Sequence, residues 1–361
     1  MKVSPRMKTS QTTSPALPVI DDKLFESALT LLKNGSEESY LKQYCTQLGE
    51  DNIQDAQELD IDDVNDDLYP LLDQHIPNGL KSIYKPENIA PIALHNGAEG
   101  QSVFTQINMP AYWLNAPYGA GLRLAAELYR AIAALGSSLA AHGLEVSLAN
   151  TAQDTAALAQ LMLGLDDGYA ALGVQNPSGS LTLLFDQSGF KVTHYGIGRM
   201  ADGTKPVPPY FTAEDQHIYV LGREHGELGL SAYLNDAHNV QEGSIPTVHA
   251  EHELLLARFI SDMHQAGYIT AAQSVSIGGI GLGLAKMALG SNIGASVGGI
   301  GNASFWYGED QGRYIVTIKT AEMAKFEVAA QNLGISLLEI GNSEEDRLSF
   351  NNQKIKISEL S

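Results

Sequence analysis

The chain has 361 residues, room for two or three compact units at about 150 residues each. Hydrophobic residues make up 44%, enough for a buried core, while 42 acidic against 22 basic residues leave a formal net charge of −20. That sign argues against a nucleic-acid backbone or an anionic membrane as main partner, since both require positive potential, and points to a soluble cytoplasmic protein.

Near the start, Lys2, Arg6 and Lys8 are followed by Ser, Thr and Pro rather than an apolar run, so no signal peptide is expected and residues 1–20 read as mobile. The single cysteine, Cys45, rules out an internal disulfide and a Cys-rich metal site. Residues 50–73 hold ten acids and no base. Asp63, Asn65 and Asp67 have the spacing of a calcium loop, but Leu68 stands where the turn needs glycine and Gln74 where it needs a bidentate glutamate. A solvated acidic segment is the better reading. Residues 1–90 are accordingly expected to be an acidic, partly disordered or helical segment, ahead of units at 91–208 and 209–361.

From about residue 91 the composition shifts to Ala, Gly, Leu and Val. A turn at Asn115–Pro117 leads into a helical pattern from Gly119 to about Ala141, carried by Leu122, Ala125, Ala126, Tyr129, Ala133 and Gly136. A second helix is predicted over 151–171 and a short strand over 180–185. Pro206, Pro208 and Pro209 mark a hinge, with a boundary expected near 205–213. Beyond it the pattern predicts a strand at 217–221, a helix at 251–265 stopped by Gly267, and a strand at 313–318. A helix at 321–333 ended by Gly334 and a strand at 335–340 follow. The closing strand–helix–strand suggests layered helices and sheet, a mixed α/β (α+β) class. The most apolar run, Ile277–Leu289, is short, Gly-rich and carries Lys286, so it does not read as a membrane span.

The stretch Ser274 to Ala288 is the most informative. Glycines opening a helix leave backbone N–H groups able to face an anion. Gly279, Gly281 and Gly283 give Gly-x-Gly-x-Gly rather than Gly-x-Gly-x-x-Gly, and no acid follows about 20 residues on, which leaves a dinucleotide-binding oxidoreductase as an outsider. No Gly-Lys-Ser/Thr occurs, so a P-loop is excluded. The bland alternative is that these glycines let a helix pack closely on a sheet. His249 and His252 lie one helical turn apart, but without His-Glu-x-x-His they read as a solvated helix start rather than a zinc pair.

Six segments in order carry a family resemblance. Pro117-Tyr118-Gly119-Ala120 with Ala126-Glu127 and Arg130 comes first, then Ser178-Gly179-Ser180-Leu181-Thr182-Leu183. Ile218-Tyr219-Val220-Leu221-Gly222 and Leu228-Gly229-Leu230-Ser231-Ala232-Tyr233-Leu234 follow. The last two are Gln273 to Gly279 with Leu284-Ala285-Lys286-Met287-Ala288, and Tyr307-Gly308-Glu309-Asp310-Gln311-Gly312-Arg313-Tyr314. Over about 108–360 they resemble the C-terminal half of the synthetase component of phosphoribosylformylglycinamidine synthase.

The resemblance implies an aminoimidazole ribonucleotide synthetase-like N-domain sheet with helices, followed by an α/β C-domain. It implies ATP and Mg2+ as cofactors, amidation of formylglycinamide ribonucleotide, and N-domains that pair with a first-half synthetase chain or another copy, beside a glutaminase subunit. The nucleotide- or phosphate-facing candidates are Gly119, Arg130, Gly179, Ser180, Thr182, Gly278 and Gly279. Glu127 and Glu309 are weak metal candidates, and no catalytic residue is assigned. Where the family has His, Asp and Asp, this chain has Gln273, Ser274 and Ile277, and Lys286 replaces an acid. None of these can anchor a magnesium ion as a carboxylate does. Two functional readings follow: a half-length synthetase needing a partner, or a catalytically silent interaction or regulatory subunit. Arg130 has two readings of its own, a phosphate contact or a surface ion pair with Glu127. Glu309 with Arg313 reads as a strand-entry salt bridge.

Overall fold

The structure, a computed structural model, describes residues 102–149, 151–174, 178–185, 189–201, 203–298, 302–350 and 353–359. The acidic run, Cys45 and the whole 1–90 segment lie outside the described residues.

The first sheet has the order β1-β4-β2-β3, from strands β1 (Ser102–Met109), β2 (Ser138–Leu148), β3 (Ser178–Phe185) and β4 (Lys191–Arg199). β2 pairs parallel with β3, and the other pairings are antiparallel. Helices α1 (Pro117–Ala134) and α2 (Ala152–Ala171) cover one face, burying Leu124, Leu161 and Leu165 against Leu144, Val146 and Val192. Thr151 caps α2, its hydroxyl accepting from the Asp154 N–H at 3.1 Å. The two helices touch backbone to backbone: a Cβ at Gly121 would meet the Leu161 carbonyl at 2.1 Å, and one at Gly164 the Tyr118 carbonyl at 2.0 Å.

The α1 helix is shorter than its sequence pattern. Gly136 adopts φ +74°, the chain reverses, and Ser138–Leu148 runs as a strand paired with β4. Helix propensity in Leu139-Ala140-Ala141 yields to the ladder, which supplies backbone partners on either side of an irregularity at Ala140.

The second sheet has seven strands, in the order β11-β10-β7-β9-β5-β8-β6. They are β5 (His217–Leu221), β6 (Ile269–Ser274), β7 (Gly294–Val297), β8 (Tyr314–Ile318), β9 (Leu337–Glu344), β10 (Arg347–Phe350) and β11 (Gln353–Lys356). Helix α4 (Gly279–Ser291) covers one face and meets Ile218, Val220 and Ile315. Helices α3 (Ala250–Gln265) and α6 (Met323–Asn332) cover the other, against Tyr219, Leu221, Val316 and Ile318. Both faces being covered, β5 and β8 read as continuous apolar runs. β8 and β9 flank β5 and pair antiparallel with it, so the expected strand–helix–strand is a split β-α-β unit. A short helix α5 (Ala303–Tyr307) sits ahead of β8. The mixed α+β class holds, with two mixed sheets.

Candidate functional site

Arg123, Glu127 and Arg130 lie at i, i+4 and i+7 on one face of α1, the spacing that stacks side chains along a helix. That face is turned toward the second sheet. All three side chains are no more than 1% exposed. Arg123 donates from Nε to Glu127 Oε1 at 2.7 Å and from Nη2 to Glu309 Oε2 at 2.6 Å. The Trp113 ring lies under the guanidinium, 3.8 Å from its central carbon. Glu127 uses its other oxygen to accept from the Ser276 hydroxyl at 2.7 Å.

Glu309 belongs to the turn before β8, and its second oxygen accepts from two backbone N–H groups, those of Ala232 and Gly278, both at 2.8 Å. The glycine turn is thereby tied down by a carboxylate of the protein itself. Gly278 and Gly279 have φ of +78° and +66°, and Gly279 N–H donates to the Ser276 carbonyl at 2.9 Å. A side chain at Gly279 would meet the Trp306 carbonyl at 2.6 Å. Both glycine amides at the start of α4 therefore have protein acceptors.

Arg130 reaches the same turn from deeper in. Its Nε donates to the Val275 carbonyl at 3.1 Å, Nη2 to Gln311 Oε1 at 3.2 Å, and Nη1 to Glu253 of α3. The surface-pair reading of Glu127 and Arg130 is corrected: both are buried and only within 4.0 Å of each other. Glu253 corrects the reading of 249–253 as a solvated helix start, because its side chain is fully buried. Burial pushes its carboxyl above the usual range, with the Arg130 charge opposing. The Glu309–Arg313 pairing is replaced as well: Arg313 meets Asp310 at 3.3 Å, and Asp310 gathers the N–H groups of His225, Gly226 and Glu227.

Burial alone would weaken the charge of Arg123, but Glu127 and Glu309 outweigh it, and the guanidinium's pKa is raised. Tyr112, beside this cluster, has its phenol pushed upward by burial first and then by the charge of Glu309.

The other sequence-derived positions divide. Ile277 packs between the cores of both units. Ser274 is 7% exposed, and Gln273 donates to the Ser274 carbonyl at 3.3 Å. Gly119, in the first turn of α1, leaves room for Ile245, whose methyl would sit 2.5 Å from a Cβ there. Gly179, Ser180 and Thr182 lie apart, on β3, in register with His142, Gly143 and Glu145 of β2. Thr182 shares with Phe104 and Tyr195 the sheet face turned away from α1 and α2. Sequence reasoning missed Arg123, Glu253 and the tie between Glu309 and Gly278. The i, i+4, i+7 charge stripe on an otherwise apolar helix was the one available signal for Arg123.

No family model matches the chain. It is similar to the phosphoribosylformylglycinamidine synthase subunit PurL of Rhodopseudomonas palustris strain HaA2, at 30% identity over 275 residues. That match takes in 73% of this chain and 37% of the relative, so the chain spans little more than a third of the curated protein's length. Among solved structures it is similar to Thermotoga maritima PurL complexed with FGAR, with TM-score 0.62 and 14% identity over 82% of this chain and 52% of that one. Thermotoga maritima PurL complexed with ATP gives TM-score 0.57 at 14% identity, covering 77% and 49%. The structure of PurLQS from Thermotoga maritima gives 0.56 at 15%, covering 73% and 45%. The chain is PurL-like, similar at modest identity to a C-terminal half, and the structural likenesses carry its fold. Among the described residues no helix is long and apolar enough to cross a membrane.

Proposed function

We propose that this chain is a PurL-like half that serves phosphoribosylformylglycinamidine synthesis, in the cytoplasm, by contributing ligand-binding surface and framework to an assembly rather than acting alone. The supporting observation is that the motif residues of the resemblance, far apart in sequence, meet at one junction: Glu127 and Arg130 of α1, the turn at 274–279, and the turn at 309–313. The two units of that assembly's half are 91–208 and 209–361; the first sheet ends at Arg199 and the second begins at His217. The relatives complexed with ATP and with FGAR support a nucleotide and a ribonucleotide as ligands.

The ligand side is the face of the first sheet that carries Thr182, with Ser180 at a neighbouring register position and Gly179 beside it in the strand. Phe104 on that face is 44% exposed, and its ring stacks near Tyr195 with centroids 6.3 Å apart. A half-apolar sheet face of this kind takes a second sheet, either another copy or a first-half chain, with a glutaminase beside it in an assembly like PurLQS. A specific observation favours the silent-subunit reading for the metal-dependent step. Gln273, Ser274 and Ile277 bring no charge, and Glu127 and Glu309 are already engaged by Arg123, so the residues at the junction do not fit Mg2+.

The test measures FGAR and ATP binding by calorimetry on the full chain, alone and with a co-expressed first-half chain and glutaminase. Phosphate release is measured in parallel. Binding that needs the partner, with no turnover by the isolated chain, is expected. Failure of both ligands to bind in every combination would remove the proposal.

A further inference from the structure

We propose that Arg123 is the resident cation of this junction, its guanidinium holding together Glu127 and Glu309 in the place a divalent ion would otherwise take. The inference rests on reading the junction as the meeting point of the PurL-like motifs, and adds that it is held together without metal.

The geometry is that of a cation between two carboxylates. Glu127 comes from α1 and Glu309 from the turn before β8, and they converge on Nε and Nη2, the two donors along one edge of a single guanidinium. All three side chains are at most 1% exposed. The remaining oxygen of each carboxylate is filled too, by the Ser276 hydroxyl on Glu127 and by the Ala232 and Gly278 amides on Glu309. A hard divalent ion requires about six oxygen ligands and retains several waters. This dry cluster offers it neither free carboxylate oxygens nor room for a hydration shell.

Charge accounting leads to the same place. The buried junction holds Glu127, Glu253 and Glu309 against Arg123 and Arg130. Arg123 is the cation that touches both Glu127 and Glu309, whereas Arg130 stands 4.0 Å from Glu127 and has Glu253 as its own partner. Removing Arg123 would leave two carboxylates facing each other in a low-dielectric space, which is the arrangement that recruits a cation. The stacked Trp113 ring fixes the guanidinium plane, so the charge is held in position.

The test uses Mn2+ alone as probe, on the full chain without nucleotide or partner. Electron paramagnetic resonance titration counts bound Mn2+, and thermal unfolding is followed with and without Mg2+ or Mn2+. Weak uptake by the acidic segment at 50–73 is common to all variants and cancels in the differences. Wild type and Glu309→Gln are expected to bind Mn2+ identically. Arg123→Ala is expected to lose stability in metal-free buffer, regain it saturably with Mn2+, and bind one further ion at least about tenfold more tightly than wild type. Arg123→Ala combined with Glu309→Gln should lose that gain. A wild-type site that takes up Mn2+ and loses it in Glu309→Gln overturns the proposal, and so does an Arg123→Ala protein that folds yet gains nothing. Should Arg123→Ala fail to fold even with metal, the wild type against Glu309→Gln comparison still decides. None of these readouts involves FGAR, ATP or a partner, so failure here and failure of the functional reading are separable.

Discussion

Arg130→Ala separates a phosphate contact from a framework residue. The guanidinium is fully buried and engages the Val275 carbonyl, Gln311 and Glu253. Its removal strands the Glu253 carboxylate, also fully buried, and breaking a buried pair by deleting one partner costs about 3–5 kcal/mol. For a protein of this size each kcal/mol moves the melting midpoint by about 1–2 °C, so a drop on the order of 5 °C is expected. The loss has a pH signature. Burial already holds the Glu253 carboxyl above its ordinary value, and Arg130 opposes that rise. Without Arg130 the folded-state pKa climbs further above the unfolded one, and folding then takes up a proton. The variant's deficit is therefore smallest at acid pH and grows as pH rises through the folded-state value. Adding Glu253→Gln should recover part of the loss, because an amide needs no counter-charge. Urea midpoints from pH 5 to 8, read from the fluorescence of Trp113 and Trp306, measure all of this. Arg258→Ala, whose side chain is 84% exposed, is the control and should change nothing measurable. An Arg130→Ala midpoint no lower than the control's, with ligand affinity reduced, would refute the framework reading.

Under the first sheet, Tyr169, His194 and His142 form a chain, with 3.0 Å from the phenol to His194 Nε2 and 3.3 Å from there to His142 Nδ1. Burial lowers His142 to about 4 and His194 to about 3. Both rings protonate in the unfolded chain below about 6.5 but stay neutral in the fold, so stability is full above that value and falls as pH decreases. At pH 5 each histidine accounts for a loss of at most about 2 kcal/mol, and His194→Gln should flatten the urea-midpoint profile between pH 6.5 and 4. Gly279→Ala places a methyl 2.6 Å from the Trp306 carbonyl at a φ of +66°, and should destabilise by at least about 1–3 kcal/mol in thermal unfolding. Phe104→Asp puts a charge on the sheet face turned away from α1 and α2, so sedimentation should show weakened self-association or loss of the first-half partner, with the melting midpoint nearly unchanged.

Much of the local structure was legible because local signals agreed. The helix at 152–171 has a Thr151 cap, and the strands at 217–221 and 314–318 are apolar runs of strand length. The strand at 138–148 was not legible. Ala and Leu at its start favour a helix, and the decision is made by Gly136 together with β4, more than forty residues distant, through pairing that a window of sequence does not contain. The ion cluster divides the same way. The pairing of Arg123 with Glu127 is an i, i+4 relation within α1, whereas Glu253 and Glu309 reach that helix only through the packing of two units.

The glycine turn yields a last prediction. A helix N-terminus attracts an anion through unfilled N–H groups. At α4 the anion is already present: Glu309 accepts from Gly278 and from Ala232, with Arg123 alongside. Glu309→Ala removes that carboxylate and leaves two buried amides and Arg123 Nη2 without acceptors, each orphaned donor being costly in a dry interior. The variant should be destabilised, and the space left should admit a small carboxylate. Acetate is the fitting probe, because it restores the lost group without the tether. An occupant at ten times its dissociation constant stabilises by about 1.4 kcal/mol, so the melting midpoint of Glu309→Ala should rise by a few degrees with acetate and saturate. Chloride at equal ionic strength should not reproduce the rise, and wild type should show none. An equal response to acetate in wild type and Glu309→Ala would mean that Glu309 does not fill the anion position of the turn, and that the amides of Gly278 and Ala232 remain open to a phosphate.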